Sequence, residues 1–180
     1  MFKISARHIT IIGVLTALSI VLERFIGPMI PPLYTDSARF SLGNIPIILC
    51  SISCGILPGA VCGLISDVLG CFISGYPPYL PLLLSPVLMG ILPKVLFTVL
   101  EKAGLKKNTL ISTSIVMILT NIVSSVFWTT LGLSWMYGTS FTVQFLPRVP
   151  VIILTTLCET AIIYALLKSP IFERTAKSNQ

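Results

Sequence analysis

The stretch GILPGAVCGLISDVLG, Gly55 to Gly70, decides how the rest of the chain is read. It is apolar except for one serine and one aspartate, and its small residues keep a period. Gly55, Gly59, Gly63 and Asp67 are spaced by four, and Ser66, Gly70 and Ser74 repeat that spacing one position away. Positions four apart share a helix face. The stretch therefore predicts a helix with a small-residue stripe, the kind that lets helix backbones approach closely within a bilayer. Asp67 lies on that stripe, so it faces protein or a cavity and not lipid.

The rest of the chain is of the same kind. Of 180 residues, 54% are hydrophobic and 10% charged. The mean hydropathy is +0.97. A soluble domain carries about 25% charged residues, so this chain cannot cover itself with a polar surface. Its solvent is lipid. The reading is an all-α membrane bundle, a single domain over residues 1–180 with a polar, frayed tail at 171–180. Six transmembrane helices are expected, at 8–25, 42–57, 59–74, 79–100, 109–130 and 142–167. Spans 2 and 3 are short and meet at Leu57-Pro58-Gly59, where proline and glycine allow a tight turn or kink. The first loop, GPMIPPLYTDSARFS, is the longest, and its three prolines favour an extended segment.

Loop charges predict orientation through the excess of Lys and Arg on the cytoplasmic side. Lys3, Arg7, Lys102, Lys106, Lys107, Lys168, Arg174 and Lys177 fall on one side, and only Arg24 and Arg39 on the other. Both termini are therefore expected in the cytoplasm. The net charge of +6 is then a topology signal and needs no nucleic acid. Lys3 and Arg7 precede an apolar run as in a signal peptide. However, Glu23 and Arg24 follow Leu22 where a small-residue cleavage site would stand, so span 1 is expected to remain a helix.

Much catalytic chemistry is excluded. His8, at the edge of span 1, is the only histidine, so neither an H-E-x-x-H zinc site nor a distant Ser-His pair can form. No phosphate-binding loop of the G-x-x-x-x-G-K-[ST] type occurs, so ATP is not gripped by this chain. Cys50, Cys54, Cys62, Cys71 and Cys158 form no C-x-x-C and read as small buried hydrophobes. No enzyme, metal or cofactor is implied. A carrier or binding component remains. An independent secondary transporter would carry inverted repeats, and no repeat is visible.

Ionisable residues within spans are functional candidates by default. Asp67, Arg148 and Glu159 qualify, with Arg39 at a helix entrance. Arg148 and Glu159 are eleven residues apart, three helical turns, and share a face of span 6. Two readings stand: an ion pair that bolts helices together, or a ligand pocket. In the pocket reading a carboxylate meets ring N–H groups, and guanidinium forks meet the ligand's carboxylates. Aromatics gather at one end of the spans. Tyr76, Tyr79, Trp128, Trp135 and Tyr137 belong to this group and suit a pocket for a planar ligand.

Over RFSLGNIPIILCSISCGILPGAVCGLISDVLG, Arg39 to Gly70, the chain resembles the folate-family S components of energy-coupling factor (ECF) transporters. Arg39, Pro46, Gly55, Pro58, Gly59, Gly63, Asp67 and Gly70 carry the likeness. It continues through GYPPYLP, LGLSWMYGTSF and LPRVPVIILTTLCETAIIYALLK. The sequence departs at Tyr79-Leu80-Pro81-Leu82 and at Thr129-Thr130-Leu131-Gly132, with a displaced tryptophan at Trp135. The resemblance implies a multi-pass subunit of the bacterial plasma membrane that binds a vitamin, folate or alternatively pantothenate, on the outer face. It also implies an ECF transmembrane subunit and two cytoplasmic ATPases as partners. Gly13 and Ala17 form a small-x-x-x-small patch on span 1, where the family docks its transmembrane partner.

Overall fold

A computed structural model describes residues 6–26, 42–75, 77–104 and 110–169. The described residues form six helical segments. Helix α1 (Ala6–Val21) runs on into a π-helical turn, Leu22–Ile26. Helices α2 (Asn44–Cys54), α3 (Ile56–Ile73) and α4 (Leu80–Lys102) follow. Helix α5 spans Leu110–Tyr137 and α6 spans Phe141–Lys168. Among the described residues, α3, α4, α5 and α6 are long and apolar enough to cross a membrane. The all-α, six-helix membrane expectation holds. The tail at 171–180 lies outside the described residues.

The boundary between α2 and α3 is not at Pro58. It falls at Gly55, whose φ of +110° is open to glycine and strained for other residues. Pro58 sits inside the first turn of α3, where its missing N–H costs no helical bond. Helix α2 is consequently only 11 residues long, about 16 Å. That covers roughly half of a ~30 Å hydrocarbon core.

The glycine stripe of α3 serves two neighbours. A Cβ at Gly59 would collide with the Gly90 carbonyl oxygen, and one at Gly63 with that of Pro86. The backbones of α3 and α4 therefore touch directly, as the spacing predicted. Further along, a Cβ on Gly70 would lie 2.6 Å from Nε of Arg24. There the stripe accommodates a guanidinium from the end of α1.

Two apolar clusters fill the bundle. Ile45, Ile48 and Ile52 of α2 pack with Phe97, Val116, Met117, Ile163 and Leu167. Ile47, Cys50, Cys62 and Met89 form the second cluster, joined by Cys54. The cysteines there are free thiols, as expected of small hydrophobes. Ser19 of α1 donates to the Gly43 carbonyl (2.7 Å) and holds the start of α2.

Candidate functional site

Four groups of polar side chains stand out among the described residues of the bundle. The first is built on Glu159, which is fully buried on α6. Its Oε1 accepts from Asn44 Nδ2 and its Oε2 from Asn121 Nδ2, each at 2.8 Å. Ser125 in turn donates to Asn121 Oδ1 (3.2 Å). Three helices are tied at one point. Asn121 is about 17 Å along α5 from Leu110, so the node lies near mid-span and α2 begins at that depth.

The second group joins α1 to α3. Arg24 Nη2 stands 3.6 Å from Asp67 Oδ1. Arg24 also donates to Ser74 Oγ (3.2 Å) and Cys71 Sγ (4.0 Å). The arginine that meets Asp67 here is thus one that the loop count had placed outside the membrane. The π-helical turn Leu22–Ile26 carries Arg24 inward across Gly70.

The third group stitches α4 to α5 along the π-helical part of α5, Ile122–Thr129. Ser85 Oγ meets Ser124 Oγ (2.9 Å) and Thr129 Oγ1 (2.7 Å). Trp128 Nε1 donates to the Pro81 carbonyl (2.7 Å). A π turn advances more residues per turn than an α turn and is frequent at functional sites. Here it turns Ser124, Trp128 and Thr129 toward α4.

The fourth group lies at the beginning of α6. The helix runs Phe141–Phe145, tightens into a 3-10 turn at Leu146–Arg148, and resumes at Val149. Arg148 is 8% exposed and Gln144 6%. Arg148 Nη1 donates to Thr130 Oγ1 (2.9 Å) and Gln144 Nε2 to Thr139 Oγ1 (3.0 Å). Arg148 Nε and Gln144 Oε1 are buried with no hydrogen-bond partner among the described residues.

The structure separates some of the predicted residues and leaves others undescribed. Arg148 and Glu159 do lie on the buried face of α6, but in two separate networks. Tyr79 caps the start of α4 and is half-buried, as is Trp128. Trp135 and Tyr137 are more than half exposed at the α5–α6 connection. Arg39 and Tyr76 lie outside the described residues. Gly13 and Ala17 are on the open face of α1: no described residue lies within 4 Å of a Cβ added at Gly13, and Ala17 is exposed. Between α5 and α6 an apolar groove of about 440 Å³ runs past Ile122, Val126, Phe145 and Val149. It contains none of the predicted residues.

Sequence reasoning missed Asn44, Asn121 and Gln144, because a neutral amide raises no alarm in an apolar helix. It also missed Lys94, within α4, whose Nζ reaches the Ile52 carbonyl at the end of α2 (3.5 Å). The rule that found Asp67 applies equally to Lys94. A cation near a helix C-terminus is favourably placed.

The family model of the ECF-type riboflavin transporter, S component, matches residues 3–170. The chain belongs to this family. The S-component resemblance seen in the sequence holds, and this S component is a multi-pass membrane protein of a transporter's substrate-binding kind. No curated protein matches it. Among solved structures it is similar to FolT bound with folic acid, with a TM-score of 0.73 at 22% identity. The match covers 90% of this chain and 93% of that one. At that identity the likeness speaks for the fold.

Proposed function

We propose that this S component captures folate outside a bacterial plasma membrane and delivers it to an ECF transmembrane subunit driven by two cytoplasmic ATPases. The observation that carries the reading is the family match over residues 3–170, joined to a fold shared with a folic acid-bound protein. Both termini face the cytoplasm in this reading, in agreement with the loop charges. The ligand enters from the end where α3 meets α4 and α5 meets α6. Tyr79, Trp128, Trp135 and Tyr137, with Tyr76, supply aromatic surface for a planar ring. Arg39 and Arg148 take carboxylates, and Asp67 accepts ring N–H groups or bolts the floor. Gly13 and Ala17 offer the transmembrane partner a flat strip of α1. The chain itself catalyses nothing.

Riboflavin is the second reading, favoured by the family's own description. Pantothenate is the third, from the sequence resemblance. One titration separates them. Folate is expected to quench the fluorescence of Trp128 or Trp135 in the purified protein and to raise its melting temperature. A melting temperature that rises with riboflavin or pantothenate and not with folate assigns the vitamin otherwise.

A further inference from the structure

Gln144 and Arg148 are four residues apart in the helical start of α6, joined through the 3-10 turn Leu146–Arg148. Both are more than nine-tenths buried. Each is anchored by a single threonine hydroxyl, Thr139 for Gln144 and Thr130 for Arg148. Each keeps a buried polar atom with no partner among the described residues: Arg148 Nε, a donor on a cation, and Gln144 Oε1, a neutral acceptor. Arg148 has no anionic partner among the described residues. Buried polar groups in native proteins are nearly always bonded, and those that are not call for an explanation. The other groups of this kind are weaker candidates. Ser51, Ser66, Ser112 and Thr120 are lone hydroxyls on helices, where one rotating hydrogen can turn to the carbonyl four residues back. Arg24 already has a carboxylate beside it.

A bound group that satisfies the pair needs an acceptor for Arg148 and an N–H or O–H donor for Gln144, and an anionic acceptor suits the buried guanidinium best. We infer that Arg148 and Gln144 together bind an N-acyl amino acid: Arg148 takes the carboxylate, and Gln144 Oε1 accepts the amide N–H one or two carbons away. This rests on reading the chain as a vitamin-binding S component. Folate ends in an N-aroyl glutamate, and pantothenate is an N-acyl β-alanine. Riboflavin has no carboxylate: its carbonyls could accept from Arg148 but would leave the guanidinium without a counter-charge. The site thus favours a chemical class that spans the first and third readings over the second. The guanidinium fork is suited to the anion because it is planar and binds carboxylate oxygens in pairs.

The test uses acid and neutral partners of one ligand: folate against its amidated tail, pantothenate against its alcohol, with riboflavin alongside. Affinity is measured on the purified full-length protein. At least one acid is expected to bind tenfold or more above its neutral partner. Arg148→Gln should erase that ratio while keeping the neutral compound's affinity, and Gln144→Leu should weaken acid and neutral forms alike by several-fold. Should Arg148→Gln fail to fold, the wild-type ratio and Arg148→Lys decide, the lysine restoring part of the preference for acid. Equal affinity for acid and neutral forms overturns the inference, and so does riboflavin binding above both; either leaves a vitamin-binding S component standing. A protein that binds none of the three vitamins overturns that broader reading together with this one.

Discussion

Helix α6 carries two buried ionisable residues, and the bundle treats them oppositely. Glu159 is fully buried, with a hydrogen bond on each oxygen from a different helix. Arg148, three turns earlier, has one bond to a neutral hydroxyl and a buried Nε with none. A buried group whose bonds are complete holds a fold together. One whose bonds are incomplete is a site the folded chain has left open. The contrast turns on what each residue contributes before any ligand arrives, so melting of the ligand-free protein is the measurement that tests it.

The largest loss is expected at Glu159. Glu159→Leu removes both acceptors and strands two amide donors at the junction of α2, α5 and α6. Each orphaned buried donor costs about 1–3 kcal/mol, so a destabilisation of roughly 2–6 kcal/mol is expected in a thermal melt in detergent. Glu159→Gln keeps the shape and one acceptor, and should lose clearly less. If the two substitutions melt alike, and near wild type, the node is not a structural knot and the contrast with Arg148 collapses.

Asp67 comes next. It has Arg24 at 3.6 Å, with side chains 19% and 10% exposed. Asp67→Asn leaves a mostly buried guanidinium without its charge partner, a loss of about 1.5–3 kcal/mol for a charge-assisted contact. Partial exposure pulls the expectation to the low end of that range. The same melt distinguishes the two roles left open by the sequence. A bolt lowers the ligand-free melting temperature. A ligand contact leaves it in place and lowers vitamin affinity instead.

These two sites also mark how far the sequence could be read. Hydropathy and period gave six helices, because lipid demands long apolar runs and close packing demands small residues. The α2–α3 break was misplaced by three residues. Pro58 drew attention as a breaker, yet proline is at ease in a first helical turn and Gly55 alone supplies the positive φ. Asp67, Arg148 and Glu159 were legible because charge is rare in an apolar span. Their partners were not. Arg24 looked like a loop residue until the π-helical turn carried it inward. Asn44 and Asn121 meet Glu159 across 115 and 38 residues of chain, and no local pattern encodes that meeting.

At Arg148 the effect on the ligand-free protein should be small. Arg148→Gln gives up one hydrogen bond to Thr130, worth about 1 kcal/mol. It also removes an uncompensated buried charge, whose desolvation is itself unfavourable. The two terms oppose, so the stability should stay within about 1 kcal/mol of wild type, or the melting temperature should rise. A fall as large as that of Glu159→Leu would make Arg148 a second structural knot and erase the difference between the two ends of α6.

The smallest effect on stability is expected at Gly13, on the open face of α1. A Cβ there meets nothing within 4 Å, and Val14 and Ala17 beside it are exposed. Gly13→Leu therefore starts from an exposed position with no described neighbour at its Cβ, and a surface substitution of this kind stays within about 0.5 kcal/mol. Leucine also replaces glycine inside a helix, which favours the helix slightly. Vitamin affinity should be unchanged, since the bonds described at Arg148 and Gln144 run to Thr130 and Thr139 and not to α1. Assembly is where the substitution should act. A leucine holds an approaching helix off the strip that glycine and alanine leave flat, so copurification with the transmembrane and ATPase subunits should drop sharply. Ala17→Leu should do the same by the same steric route. Loss of vitamin binding with intact copurification would mean that this face closes against the chain's own ligand site, and α1 would then belong to the site with Arg148 and not to the partner.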